Sequence, residues 1–422
     1  MQLNNAGNAS GAPSAQRAYL IDLSRTARRL GMAPTGIDRV ERRYLEELLS
    51  RGRPLWGVVR TPLGNLLLNQ AALRDLKSYA DGIAPPSGRD LLSRLPMGRS
   101  EDLQTSETAV RALAFARAPR GRLAAMLRRH LPGGFVYMNV GHSALTARRL
   151  RAIRGAGASK VEVMVHDLLP LEFPEWHPNA AKLRMDQILR ATFAHADTLI
   201  CPSFETQKQV AVQAQKKGWT GETLTAHLGP GLAPCQSKSS LLQNSFLCLG
   251  TLDARKNQAF LLQVWQRLYD RLESSQSPPA LLFAGRVGFG GADIVSKINH
   301  LQRSGVSVEH LDGPDDTTIA KHLASSRALL APSLAEGFGL APLEAACANV
   351  TCIAHPLAVT REVLGDIPVY ADATDIYAWC DAVVNVMRQE HAEEQKSRNA
   401  GNMDRPELPS WKAHFAAVLG EI

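Results

Sequence analysis

Short apolar runs, each followed by a stretch of helical periodicity, recur along this chain in two sets. That alternation restricts the fold more than any other feature. The first set reads Ala18–Leu23, Leu55–Val59, Phe135–Asn139, Val161–His166, Thr198–Cys201 and Thr223–Leu228, with helical patterns such as Asp38–Ser50 and Ala180–Ala194 between them. The second reads Phe246–Leu249, Ala280–Ala284, Val306–Leu311, Ala328–Ala331 and Val350–Ala354, separated by helices that include Gln258–Glu273 and Asp316–Ser326. A parallel strand pair needs a crossover long enough to hold a helix, so this alternation predicts parallel sheets covered on both faces. Two such sets predict an α/β chain of two Rossmann-like domains, at 18–232 and 246–400, after a flexible tail at 1–17. Residues 233–245, within the small, polar segment Pro230–Ser245, read as the linker. Residues 401–422 read as a helix crossing back to the first domain, because Trp411, Phe415 and Leu419 stand at helical spacing. The stretch Thr61–His130 carries no clean strand signal.

Composition narrows the class. With 45% hydrophobic and 21% charged residues the chain is ordinarily globular, and disorder over most of it is excluded. No apolar run approaches the ~18 residues of a spanning helix. Met1–Gln16 is polar and small, without a basic start leading into an apolar core, so it reads as a loose tail and not as a secretory signal. Cys201, Cys235, Cys248, Cys347, Cys352 and Cys380 show no C-x-x-C spacing, and reduced thiols in a cytosolic protein are expected. No His or Cys spacing suits zinc, so no metal is expected.

The net charge of +8 is unevenly placed. Residues 1–232 hold 32 Lys and Arg against 19 Asp and Glu, a surplus of +13; residues 233–422 hold 16 against 21, or −5. An anionic partner is therefore expected for the first half alone: nucleic acid, an anionic membrane surface or a phosphorylated substrate. No helix-turn-helix, aromatic-basic or finger motif accompanies the charge, which argues against nucleic acid. Ala109–His130 carries six Arg and one His among Ala, Leu, Met and Phe. It reads as a basic amphipathic helix at a membrane surface or as a solvated face capping the first domain, interrupted by Pro119 and Gly121.

Ligands of open α/β sheets bind beyond the carboxyl ends of the strands, so the loops that follow them carry the chemistry. In Ala331-Pro-Ser-Leu-Ala-Glu336-Gly-Phe-Gly-Leu340-Ala-Pro-Leu-Glu344 a buried strand ends near Ser333 and a helix starts near Pro342, which puts Glu344 in its first turn. Gly337 and Gly339 let backbone approach a ligand, and free N–H groups there suit anions or hydroxyls. Two carboxylates bordering such a loop suit a polyhydroxy ligand that carries phosphate. Gly250-Thr-Leu-Asp-Ala-Arg255-Lys256-Asn257 follows the first strand of the second half and opens a helix with two adjacent cations. In the first half, His166-Asp167-Leu-Leu-Pro170 ends a strand, and Pro34-Thr35-Gly36-Ile37-Asp38-Arg39 leads into the first long helix.

The E-x7-E spacing of Glu336 and Glu344 within EGFGLAPLEA resembles the signature of retaining glycosyltransferases of family 4, the glycosyl transferases group 1, which have the GT-B fold. The resemblance covers most of residues 18–380. It implies two Rossmann-like domains facing across a deep cleft, the first binding the acceptor and the second the nucleotide sugar. It implies that Glu336 contacts donor sugar hydroxyls and Glu344 the ribose. Gly337, Phe338, Gly339 and Leu340 would face the sugar and diphosphate, Arg255 and Lys256 would grip that diphosphate, and Gly36 and Gly250 would approach it with backbone. His166 would border the reacting carbon, with Arg39 and Asp167 on the acceptor side; Arg255, Lys256, Glu336 and His166 form the expected catalytic set. Ser203–Thr206 matches the end of the family's first domain, and Arg361-Glu362-Val363 keeps its pattern, whereas Asn349-Val350-Thr351 and His355 depart from it. The implied reaction moves a hexose, with a lean to mannose from GDP-mannose, onto a hydroxyl of a glycan or polyprenyl-diphosphate-linked oligosaccharide in bacterial polysaccharide assembly. The nucleotide diphosphate sugar is a co-substrate and no cofactor is implied. The expected location is cytoplasmic, peripheral on the inner membrane face. A GT-B epimerase or hydrolase, or a non-catalytic sugar-nucleotide-binding partner, is the alternative.

Overall fold

The computed structural model describes residues 17–83, 100–233, 235, 244–271, 278–388 and 407–421. The expected tail through Gln16 and most of the expected linker lie outside them. The first sheet contains β1 (Tyr19–Asp22), β2 (Leu55–Thr61), β3 (Gly64–Leu68), β4 (Ala116–Ala118), β5 (Val136–Asn139), β6 (Lys160–Met164), β7 (Thr198–Cys201) and β8 (Glu222–Thr225). Their spatial order is β4-β3-β2-β1-β5-β6-β7-β8. Pairing is parallel except for β3, which runs antiparallel to both β2 and β4.

Those two antiparallel strands lie in the segment where sequence reading saw none. All five residues of β3 are buried, so its Gly-Asn-Leu-Leu-Leu run shows no in–out alternation. β4 is a three-residue edge strand too short to have a period. It also divides the basic segment. Ala109–His130 is not one amphipathic helix: the helix Glu101–Ala112 ends before β4, and a separate helix, Leu123–His130, follows it.

The second sheet contains β9 (Ser245–Leu249), β10 (Ala280–Ala284), β11 (Val308–Leu311), β12 (Ala328–Ala331), β13 (Thr351–Ala354) and β14 (Val369–Tyr370), all parallel, in the order β11-β10-β9-β12-β13-β14. Helices cover both faces, with Trp265 and Trp379 fully buried in one of them. Each sheet reverses its strand order once, between β1 and β5 in the first and between β9 and β12 in the second. The loops leaving those four strands diverge and open a crevice at each reversal.

An apolar core joins the halves. Phe338, Leu343, Val359 and Val363 of the second half are buried with Ile21, Val40 and Tyr44 of the first. Burying one such side chain contributes roughly 1.5–3 kcal/mol. The helix Trp411–Leu419 also packs on the first half: His414 Nε2 bonds Tyr44 Oη at 2.7 Å, and Trp411 Nε1 donates to the Pro230 carbonyl at 2.8 Å. Among the described residues no helix is long and apolar enough to cross a membrane.

Candidate functional site

The second sheet's crevice holds a cluster of one acid and two bases. After β9 the chain passes Gly250, whose φ of 129° suits glycine, and enters a tight turn capped by Asp253, which accepts from Lys256 N at 3.0 Å. This turn aims Arg255 and Lys256 at the loop after β12. Arg255 Nη1 donates to the Ala335 carbonyl at 2.7 Å and to Glu336 Oε2 at 3.0 Å, and Lys256 Nζ is bound to Glu336 Oε1. Burial acts to raise the pKa of Glu336, but Lys256 and Arg255 outweigh it and pull the carboxyl down to about 2. Glu336 is therefore ionised throughout the physiological range.

The helix beyond this loop begins at Leu340, two residues earlier than Pro342 implied. Gly339, at φ 90°, supplies the left-handed turn that starts it. Glu344 thus falls a turn into the helix, only 4% exposed. Burial raises its pKa to about 7, against the pull of Arg39. Arg39 divides its guanidinium between two acids, with Nη2 2.7 Å from Asp316 and Nη1 3.4 Å from Glu344. Arg39, expected on the acceptor side, therefore lies against two carboxylates of the second half.

The first half forms the opposite wall. β6 ends at Met164, which leaves His166 in the loop beyond the sheet. Its Nε2 bonds the Val140 carbonyl at 2.6 Å, and its ring meets that of His142 edge-on at 5.0 Å. Burial, then His142, holds its pKa well below the ordinary value, so the ring stays neutral. The loops of the two halves touch directly. A Cβ on Gly337 would collide with the His166 carbonyl, and one on Gly36 would crowd Leu340 at 3.1 Å. Asp167 accepts from Leu169 N at 3.2 Å. Together Gly36, Arg39, His166, Asp167, Gly250, Arg255, Lys256, Glu336, Gly337, Phe338, Gly339, Leu340 and Glu344 line one cavity of about 410 Å³ between the halves.

Two motifs that stand out in the sequence meet the site from the other half. Ser203 Oγ and Thr206 Oγ1 both donate to the Gly337 carbonyl, at 2.8 and 3.0 Å, and so pin the loop from the other half. Glu362 accepts from Phe204 N at 2.6 Å and Glu205 N at 3.1 Å and bonds His227 Nε2 at 2.7 Å. Their meeting across the halves has no signal in a one-dimensional pattern. Arg286, just beyond β10, also lines the cavity, and no motif marked it. Of the departures, Asn349 adopts φ 54°, which Asn tolerates better than most residues, and His355 Nδ1 accepts from Ala373 N at 3.1 Å.

Residues 243–389 match the family model described as Glycosyl transferases group 1. The matched residues include both the Arg255-Lys256 turn and the Glu336–Glu344 loop. Among curated proteins, the chain is 27% identical over 381 residues to the serotype-specific mannosyltransferase WbdA of Escherichia coli, an alignment covering 86% of this chain and 39% of the relative. It is 25% identical over 222 residues to the O-antigen chain mannosyltransferase B of Escherichia coli, covering 50% of this chain and 57% of the other. The chain therefore spans about two fifths of the first relative's length. Among solved structures, sucrose-phosphate synthase from Thermosynechococcus elongatus superposes with a TM-score of 0.59 at 14% identity, covering 89% of this chain and 90% of that one. Anabaena HepE in complex with UDP-glucose gives a TM-score of 0.57 at 14% identity, covering 88% and 90%. The two largely parallel sheets around a cleft are the GT-B fold.

Proposed function

We infer that the chain is a retaining glycosyltransferase that moves a hexosyl group from a nucleotide diphosphate sugar to a hydroxyl of a glycan or lipid-linked oligosaccharide in bacterial polysaccharide assembly. The observation that carries this reading is the contact of Arg255 and Lys256 with Glu336 at the β9/β12 crevice, with His166 on the facing wall. A nucleoside diphosphate leaving group requires fixed positive charge more than it requires a proton. Arg255 and Lys256 supply that charge already oriented, and Glu336 holds them together while presenting oxygens to sugar hydroxyls. The neutral, hydrogen-bonded His166 lines the sugar and is not the proton carrier; the acceptor proton passes to a donor phosphate oxygen on the same face. Gly36 and Gly250 bring backbone to the diphosphate, and Glu344 receives the ribose once Arg39 yields it. Mannose from GDP-mannose is the first donor to test, in keeping with the relatives named as mannosyltransferases. The basic surplus of residues 1–232 supports docking at an anionic inner membrane face.

The test is a panel of nucleotide sugars, each scored by thermal shift and by nucleoside diphosphate release with and without glycan acceptor. A cognate donor at a hundredfold its Kd should stabilise the fold by about 2.7 kcal/mol. Release that depends on acceptor, with the anomeric configuration kept, is the expected result. Turnover independent of acceptor would mark a hydrolase or epimerase instead, and binding of no nucleotide sugar would end the reading.

A further inference from the structure

A second cavity, of about 670 Å³, lies in the first half. It occupies the crevice at the β1/β5 reversal, lined by Ser24 and Arg28 after β1 and by His142 and Ala144 after β5. It is thus the first sheet's counterpart of the place where the second sheet holds Glu336 and its cations. The two cavities share a partition: His142 lines this one, His166 lines the cleft, and their rings are in edge-on contact.

The cavity's charge has no internal counterpart. Arg28, Arg60, Arg120, Arg184 and Arg190 line it, and no carboxylate does. Arg190 pairs with Asp186 at 2.6 Å; among the described residues the other four form no ion pair. The acids that act to raise the pKa of Arg28 are Asp22 and Glu41. Asp22 is engaged by Arg149 at 2.8 Å and by Tyr137 Oη at 2.9 Å. Glu41 is raised by burial to about 8, so it is mostly uncharged at neutral pH. Burial and neighbouring arginines lower the pKa of both Arg28 and Arg60, as uncompensated like charges should. Arg28 is nonetheless held in place, donating to Ser143 Oγ at 2.9 Å and to the Ser24 carbonyl at 3.2 Å.

The wall is also strained. His142 and Ala144 have φ of 52° and 57°, left-handed values that non-glycine residues avoid. Asn139 Nδ2 holds the bend between them by donating to the Ser143 carbonyl at 2.8 Å. Such strain persists where surrounding structure enforces it, which is characteristic of ligand sites. Pro62, Leu145 and Ile188 give the cavity an apolar side, and Leu63 and Leu183, next in sequence to lining residues, are exposed.

We propose that this arginine-lined cavity is the acceptor subsite and that it binds the phosphate or diphosphate of a phosphorylated acceptor, whose reacting hydroxyl enters the cleft past His142 and His166. The acceptor role rests on the transferase reading above; anion binding does not. The probes are inorganic pyrophosphate and farnesyl diphosphate, titrated into the full chain carrying Arg255→Ala and Lys256→Ala, which removes the cleft's own phosphate grip. Pyrophosphate should still bind at one site. Adding Arg60→Ala and Arg184→Ala should weaken it by about tenfold, and Arg60→Lys with Arg184→Lys should recover most of the loss. Tighter binding of farnesyl diphosphate than of pyrophosphate identifies an acceptor whose phosphate sits on an apolar carrier; equal binding identifies a soluble phosphosugar. Pyrophosphate that no longer binds once Arg255 and Lys256 are replaced, or that ignores the Arg60 and Arg184 changes, overturns the proposal. GDP and UDP titrated into the unaltered chain test the transferase reading separately. Failure of both to bind while the arginine site remains would remove the acceptor role and leave an anion site.

Discussion

The two sheets each reverse strand order once, and the crevices at those reversals are charged in opposite styles. At β9/β12 the cations Arg255 and Lys256 are already neutralised by Glu336. At β1/β5 four arginines stand without a carboxylate among the described residues. A site holding its own counter-ion fixes geometry before the ligand arrives and can share donors between carboxylate and phosphate. A site without one repels itself until an anion enters, which favours charge over shape. The difference suits a crevice that must orient a reacting centre and one that must only anchor a substrate's end.

The largest effect that would break this comparison concerns the cations. Replacing both Arg255 and Lys256 by Ala should lower kcat/KM for transfer by about 10³-fold, with circular dichroism unchanged. Rates within a few-fold of normal would remove their role. Glu336→Gln comes next, with transfer falling by about 10²-fold. Affinity for the bare nucleoside diphosphate should hold or rise, since the cations lose a competitor. A parallel loss of nucleotide affinity would mean that Glu336 serves only to hold Arg255 and Lys256.

Gly337→Ala sharpens the comparison at the contact between the halves. The added methyl meets the His166 carbonyl, so donor KM should rise by about tenfold. An unchanged KM would show that this contact plays no part in the working conformation. The smallest effect is a pH dependence. Below its pKa of about 7 Glu344 is protonated; above it the carboxylate can accept from ribose hydroxyls once Arg39 yields it. Nucleotide affinity should therefore fall by about threefold from pH 8 to pH 6, and Glu344→Gln should flatten the profile. A slope that survives in Glu344→Gln would assign the titration elsewhere.

Much of this was written in the chain's local pattern. Alternation of apolar runs with helices determined two parallel sheets, because a crossover connection imposes it. The spacing of Glu336 from Glu344 and the Arg255-Lys256 pair marked the loops that line the cleft. β3 was hidden because full burial erases alternation, and β4 because three edge residues have no period. Tertiary structure alone decided what meets what. Arg39 lies 277 residues before the Asp316 it binds, and Ser203 is 134 residues from the Gly337 carbonyl it holds. Arg28, Arg60 and Arg184 look in sequence like scattered surface charge, and only the reversal of strand order at β1 and β5 collects them around one opening. Local sequence fixes backbone periodicity because its interactions span a few residues. Which charges converge is settled by the order of strands in the sheet, and that order follows from packing the whole chain.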